Sequence, residues 1–455
     1  MKKFHEKFFY HFYKTLFSVG LRIYYKKITV SGFEKLPLKR PIITASNHPT
    51  GLMDVFLASH HIKRQIKFTA AGALFKDKLQ AAFLTSVGTI PVYRRKDSPG
   101  EQDKNIESFE LCFQELESGG AIGFYPEGTS HPEPWINSIK TGTARVALQA
   151  EDRNNFELDL SIVPIGINSL YPGKFRGSVF VNIGDPIAVK DHQHAYRQDS
   201  VEAVQNLTAD IQRGMQLCAF HIQNNSLIKI FEGLKTIGVD EIKLKDTKAK
   251  NNAEQIYLIT KNLEAKVNNE EDYDSENGTT LKALNSICRD LSDLENQMTE
   301  FKITGHPFQG IKTGVQYIGL FLILISGIPI IIPAIVANML PFILSKNVGS
   351  KLAGKDLSLI PAARLMMGTV IFLLFYLLLS IILSSFIGIL KALILIVFFI
   401  IGGYLSLWYW EAFKEFGNIF RKMYLWFKNK DKIKDLIEKR NDFINRINDF
   451  LIVNN

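Results

Sequence analysis

Cysteine is scarce. The 455-residue chain holds three, Cys112, Cys218 and Cys288, far apart and without a C-x-x-C pair. That excludes a disulfide framework and a cysteine-based zinc site, and it suits a reducing compartment. Nucleotide and hydrolase signatures are missing too: there is no G-x-x-x-x-G-K-[ST], no G-x-S-x-G, no H-E-x-x-H and no strand-linked G-x-G-x-x-G. Internal repeats are absent, and the basic residues form no readable nucleic-acid module. Charged residues are 22% against 46% hydrophobic, so a largely disordered chain is excluded. A mean hydropathy of +0.03 is nevertheless high for so many charges, which means that the apolar residues are concentrated.

They lie in three uncharged runs: 313–345, 365–390 and 392–410. A membrane-spanning helix needs about 20 apolar residues, and buried core helices seldom reach such lengths. The first run carries Pro329, Pro333 and Pro341, so a kinked or re-entrant segment is expected there. The other two read as a helical hairpin. Its flanks are basic: Lys346, Lys351, Lys355 and Arg364 against Asp356 on one side, and seven Lys/Arg against Glu415 and Asp431 within 412–434 on the other. Positive flanks favour the cytoplasmic side. Residues 1–30 carry seven Lys/Arg against one Glu, with aromatics between them, and Lys7, Lys14 and Arg22 interrupt any signal-peptide core. This segment reads either as a basic aromatic helix in the membrane interface or as an amphipathic helix packed on the protein.

Residues 28–190 alternate strand-like and helix-like pieces, which predicts an α/β domain with a mostly parallel sheet flanked by helices. Strands are expected at 41–47, 66–70, 88–94, 121–128, 160–167 and 177–184. Helices are expected at 54–62, 73–87, 105–119 and 141–152. Residues 196–236 and 240–301 read as helical, with an acidic loop at 268–278.

"SNHPTGLMD" runs from Ser46 to Asp54, directly after a predicted buried strand. Asn47 and His48 then sit at a strand's C-terminal end, where open α/β sheets place their ligands. The turn could bring Asp54 back to one ring nitrogen of His48 and leave the other free to take a proton. Alone, such a pair is usually a turn histidine and a helix N-cap. Arg94 and Arg95 end another strand in "GTIPVYRRKD", Glu127 and Gly128 follow a third in "FYPEGTSH", and Lys140 lies just beyond. If these strand ends share an edge, two arginines and a lysine gather where a phosphate could be held.

N-H-x5-D, P-V-x-R-R, F-x-P-E-G-T-S and V-P-I-G (Val163 to Gly166), in this order, resemble the phospholipid and glycerol acyltransferase superfamily. The resemblance covers about residues 30–190. It implies the glycerolipid acyltransferase fold, followed by a helical region and a C-terminal membrane-spanning region. It further implies that His48 deprotonates an acceptor hydroxyl, with Asp54 orienting it, and that this oxygen attacks an acyl thioester without an acyl-enzyme. Arg94 then matches the glycerol-phosphate block, with Arg95 beside it. Glu127 and Gly128 match the acceptor-pocket block, and Val163 and Pro164 the acyl-donor block. Asn47, Thr129 and Ser130 are supporting residues. Five residues separate His48 from Asp54 where many members have four, and Ser130 stands where lysophosphatidate-using members often carry Arg. Both departures look more like the bacterial and fungal-type glycerol-3-phosphate branch.

The expected organisation is an interfacial helix at 1–30, the α/β domain at 31–195, a helical extension at 196–310, a membrane region at 311–411 and a basic cytoplasmic tail helix at 412–455. The expected activity is transfer of a fatty acyl group from acyl-CoA or acyl carrier protein to glycerol 3-phosphate in phospholipid synthesis. A lysophosphatidate, other lysolipid or aminolipid acceptor is the alternative within the chemistry, and a catalytically silent membrane scaffold the alternative outside it. No cofactor, no metal and no nucleic-acid partner are expected. An integral membrane protein is, with its catalytic domain on the cytoplasmic side. The donor to the oxyanion is open, a backbone N–H near Gly128 or Thr129 being one candidate.

Overall fold

The structure, a computed structural model, describes residues 2–452 apart from 61, 63, 240, 243–248, 270–278, 303–313 and 355–357. The chain divides into two units, residues 1–221 with 356–362, and residues 222–355 with 363–455.

The first unit is built on a sheet of β1 (Lys27–Ser31), β2 (Ile42–Ser46), β3 (Lys67–Ala71), β4 (Ile90–Val92), β5 (Ala121–Phe124), β6 (Ser161–Ser169), β7 (Ser178–Ile183) and β8 (Ile187–Ala188). Its order is β1-β7-β6-β2-β5-β3-β4, with β8 beside β6. From β6 through β2, β5 and β3 to β4 every pairing is parallel, whereas β6 and β7 are antiparallel. Every residue of β2, β5 and β6 is buried, as expected of central parallel strands covered on both faces. The covering helices are α2 (Leu52–His60), α3 (Lys78–Ser86), α4 (Asn105–Glu117), α5 (Gly142–Arg153), α6 (Gln193–Gln198) and α7 (Ser200–Cys218). One core joins Ile43, Ile122 and Ile162 of the sheet to Ala147 of α5 and to Leu207 and Ile211 of α7. This parallel arrangement gathers the C-terminal ends of β2, β3, β4 and β5 on one edge.

An N-terminal helix, α1 (Lys2–Tyr24), buries Tyr10, Phe17, Leu21 and Tyr24 on one face. Phe17 stacks on Phe56 of α2 at 4.1 Å, and Tyr13 meets Phe83 of α3 edge-on. Its other face leaves Phe12 and Val19 exposed. Residues 358–361 also pack within this unit: a Cβ on Gly51 would lie 2.9 Å from the Ser358 carbonyl oxygen, and one on Gly173 would lie 3.0 Å from Pro361.

The second unit is helical among its described residues: α8 (Asn225–Ile237), α9 (Asn252–Asn269), α10 (Thr279–Glu300), α11 (Gly314–Ala353), α12 (Ile360–Ile387), α13 (Ile389–Lys428) and α14 (Lys430–Ile452). Arg440 of α14 is fully buried, yet its guanidinium is satisfied by the Ile237 and Gly238 carbonyls at the end of α8 and by Glu241. The expected acidic loop 268–278 lies almost wholly outside the described residues, residues 268 and 269 closing α9.

Three described helices are long and apolar enough to cross a bilayer: 318–353, 360–387 and 389–428. The chain is a membrane protein. The first of these departs from the re-entrant expectation. Residues 314–353 are one uninterrupted helix carrying all three prolines, without the reversal a re-entrant segment needs. Asn338 helps explain how the helices hold together. Its amide donates to the Ala334 and Phe399 carbonyls, and Tyr376 donates to its oxygen at 2.6 Å, so one polar side chain joins α11, α12 and α13. The hairpin break falls at Gly388, with φ +82, rather than at Lys391, which lies in the first turn of α13. Helix α13 then runs on to Lys428, so the expected tail boundary at residue 412 falls inside that helix.

Candidate active site

The polypeptide leaves β2 at Ser46, and Asn47 continues the ladder through its side chain. Its amide donates to the Ile167 carbonyl (3.1 Å) and accepts from the Ile167 N–H (2.7 Å), so the carboxamide pairs with β6 as a strand residue would. Asn47 is therefore placed to fix the exit direction of His48. The turn that follows brings Asp54, in the first turn of α2, back onto the imidazole. His48 Nδ1 lies 2.9 Å from Asp54 Oδ2. The turn between them passes through Gly51, whose φ of +58 is left-handed and suits glycine.

Asp54 is completely buried, which for a lone carboxylate is costly. Here three hydrogen bonds meet it: the Thr50 N–H at 2.8 Å, the Thr50 hydroxyl and His48 Nδ1. With Nδ1 held by the carboxylate, the proton-accepting capacity falls on Nε2, which has no hydrogen-bond partner among the described residues. The His48 side chain is 20% exposed, so this nitrogen is not sealed in the core.

Two segments close around the pair. Tyr125, just after β5, stacks its ring on the His48 imidazole, centroids 4.0 Å apart and planes 20° apart, with Phe68 of β3 behind it at 6.0 Å. The Tyr125 hydroxyl is buried without a hydrogen-bond partner among the described residues. Burial, with the Asp54 charge adding, pushes this phenol well above its ordinary range. The 128–131 segment then docks on the turn that carries His48. Ser130 Oγ donates to the His48 carbonyl (2.7 Å) and accepts from the Gly51 N–H (3.1 Å), and the His131 N–H also donates to the His48 carbonyl (3.2 Å).

The cationic side forms in the same way. Asn105, opening α4, exchanges two hydrogen bonds of 2.8 Å with the Tyr93 backbone and so sets the direction in which β4 delivers Arg94. Arg94 donates to the Gly128 carbonyl and pairs with Asp97, while its buried Nε has no partner among the described residues. A Cβ on Gly128 would lie 3.8 Å from Arg94 Nη1 and 3.9 Å from Lys140 Cγ, so Arg94, Gly128 and Lys140 do come together. Arg95 does not join them. It is exposed and makes no ion pair or hydrogen bond among the described residues.

Glu127 is buried. Its Oε2 accepts from the Asn137 N–H (2.8 Å) and lies 2.6 Å from His131 Nε2, while Oε1 has no partner among the described residues. Thr129 is exposed. The Gly128 N–H donates to the Tyr125 carbonyl and is not free to meet an oxyanion. Val163 and Pro164 sit inside fully buried β6, with Gly214 of α7 packed so closely on Pro164 that a Cβ there would meet its ring. This block seats α7 on the sheet.

Thr50, Tyr125 and His131 belong to the site although no candidate set drawn from the sequence contained them. Thr50 had a signal, a hydroxyl inside a turn next to a helix start. His131 lay four residues beyond Glu127, a spacing that outside a helix says nothing about contact.

The family model described as Acyltransferase matches residues 27–168, which contain every residue of this constellation. Glycerol-3-phosphate O-acyltransferase 2 of Saccharomyces cerevisiae is 32% identical over 112 residues, 24% of this chain and 15% of the yeast protein. A chloroplastic 1-acyl-sn-glycerol-3-phosphate acyltransferase, LPAT1 of Arabidopsis thaliana, is 28% identical over 141 residues, 30% of this chain and 37% of that protein. The crystal structure of the 1-acyl-sn-glycerophosphate acyltransferase PlsC from Thermotoga maritima covers 47% of this chain and 80% of its own, at 19% identity and a TM-score of 0.34. The matched stretch thus spans well under half the length of these curated relatives. The motif order, the His48–Asp54 geometry and the matching family model converge: residues 27–168 form an acyltransferase domain, similar to those of glycerol-3-phosphate and 1-acyl-sn-glycerol-3-phosphate acyltransferases.

Proposed function

We propose that this chain is a membrane-bound O-acyltransferase that moves an acyl group from a thioester of coenzyme A or acyl carrier protein to glycerol 3-phosphate. The observation that carries the reading is the His48–Asp54 contact at the C-terminal edge of the sheet. His48 Nε2 takes the proton of an acceptor hydroxyl as its oxygen bonds to the thioester carbonyl carbon. The tetrahedral intermediate then expels the thiolate, and the imidazolium returns the proton to sulfur. Ester and free thiol leave, and the enzyme is unchanged. Arg94 and Lys140 offer positive charge to the acceptor phosphate.

Lysophosphatidate is the second acceptor to consider, because the relatives include proteins named for each of the two activities. Ser130 favours the first. Its hydroxyl is committed to the His48 carbonyl and the Gly51 N–H, a compact role that a guanidinium could not take over.

The segment 358–362 packs within the first unit and links two candidate spans whose connecting stretch is basic. By the positive-inside tendency that stretch, and the catalytic domain packed on it, face the cytoplasm. The apolar outer face of α1 suits a place at the bilayer surface.

The test is to incubate membranes containing the chain with radiolabelled acyl-CoA or acyl carrier protein and a panel of acceptors, then identify the lipid formed. Labelled lysophosphatidate from glycerol 3-phosphate is expected. Label in phosphatidate alone would move the assignment to the second acceptor, and no labelled ester with any acceptor would refute the reading.

A further inference from the structure

His131 is the second imidazole beside the proposed base, and the acyl-transfer steps do not use it. It makes two contacts of different kinds. Its backbone N–H donates to the His48 carbonyl at 3.2 Å, and its side-chain Nε2 lies 2.6 Å from Glu127 Oε2. The side chain is 16% exposed and the Glu127 side chain fully buried, so little solvent screens the pair. Nε2 acts as the donor here, because an ionised carboxylate only accepts. With the Asn137 N–H on the same oxygen, Oε2 is fully engaged. Oε1 is left buried and unpartnered among the described residues.

A buried carboxylate with one satisfied and one unsatisfied oxygen is held in a fixed plane and lacks a donor. A small polyol phosphate carries such donors in the hydroxyl groups that are not reacting. Glu127 also adds negative charge next to Arg94 and Lys140, where an anionic acceptor must arrive. The imidazole N–H on its far oxygen steadies that charge, and this hydrogen bond raises the His131 pKa above the ordinary imidazole value.

We propose that His131 is a positioning residue for the acceptor: it holds Glu127 with Oε1 free to receive a hydroxyl of the polyol phosphate, and ties that carboxylate through its own backbone to the turn carrying His48. The proposal rests on the acyltransferase reading. It adds a residue that acts on acceptor binding through another side chain and touches no substrate itself.

The test compares the full-length wild type with His131→Ala, His131→Gln, Glu127→Gln and the Glu127→Gln/His131→Ala double variant in detergent micelles. Glycerol 3-phosphate is the varied acceptor, and thermal unfolding is followed in parallel. His131→Ala is expected to raise the acceptor KM about ten-fold, with kcat and the thioester KM within about two-fold. His131→Gln keeps an N–H donor at a similar reach and should recover most of the loss. On the Glu127→Gln background, removing His131 should add little, because the two act through one contact. An unchanged acceptor KM, an equal loss on both substrates, Gln as poor as Ala, or additive losses would each overturn the proposal. A fold merely weakened at this point would lower the yield of active protein without moving the acceptor KM. If the wild type transfers no acyl group to any acceptor, the enzymatic reading fails first and this proposal falls with it.

Discussion

The imidazole of His48 lies face to face with the ring of Tyr125, 4.0 Å between centroids, while Asp54 holds the same imidazole in its plane. Two constraints at right angles leave the ring little freedom to rotate. The aromatic face also favours the imidazolium formed during proton transfer, by about 0.5–2 kcal/mol. The hydroxyl of Tyr125 contributes to neither effect. Tyr125→Phe should therefore keep full activity and unfold at the same or a higher temperature, because it removes an unpaired buried group. Tyr125→Leu should lose about ten-fold in kcat with both KM values nearly unchanged. Steady-state kinetics with thermal unfolding checks this, and a Phe variant as slow as Leu would mean that the hydroxyl, not the ring, matters.

The two adjacent arginines should behave differently. Arg94 reaches Gly128 beside Lys140, whereas Arg95 is exposed. Arg94→Ala should raise KM for a phosphorylated acceptor by about ten-fold or more, since a charge-assisted hydrogen bond is worth about 1.5–3 kcal/mol. Arg95→Ala should remain within about two-fold of wild type. Equal losses from both would show that only net positive charge at the mouth matters, not the geometry at Gly128.

His131 also predicts a pH dependence of stability. Its bond to Glu127 raises its folded-state pKa above the ordinary imidazole value. A group shifted this way contributes stability that is fully present below the unfolded value, about 6.5, and lost as pH rises through the folded value. The gap in unfolding temperature between wild type and His131→Ala should be widest near pH 6 and shrink toward pH 9. A gap that widens with alkalinity would mean that the folded protein binds the proton less tightly than the unfolded chain.

Much of this arrangement was legible in the residues, and the failures have physical causes. Buried parallel strands are unbroken apolar runs, so β2, β5 and β6 stood out, and the turn after β2 announced its histidine and carboxylate. Strand β1 was hidden because "KITVS" is short, half-buried and directly continuous with α1. The prolines of α11 left a kinked and a re-entrant segment both open, and the structure has one continuous helix there. Asn338 of this helix bonds to Tyr376 of α12 and to the Phe399 carbonyl of α13, contacts that no local window of sequence displays. The V-P-I-G block resembled a substrate element, but its spacing could not reveal that Pro164 lies beneath α7. Contacts between strand ends, such as His48 with Tyr125, depend on sheet order, and sheet order is not written in any local window.

The hairpin of α12 and α13 fixes a topological relation that labelling can check. Single cysteines placed at 351 and 430, in a background lacking Cys112, Cys218 and Cys288, should react with an impermeant maleimide from the same side of sealed vesicles. A cysteine at Gly388 should react from the other. Opposite accessibility of 351 and 430 would contradict the hairpin.

The most direct measurement is acyl transfer by purified chain carrying His48→Ala, beside wild type and Asp54→Asn. Loss of the general base should lower kcat by about 10²–10⁴-fold, with Asp54→Asn also impaired and the acceptor KM of each little changed. A His48→Ala protein that is folded and still transfers acyl groups at the wild-type rate would contradict the mechanism at its centre.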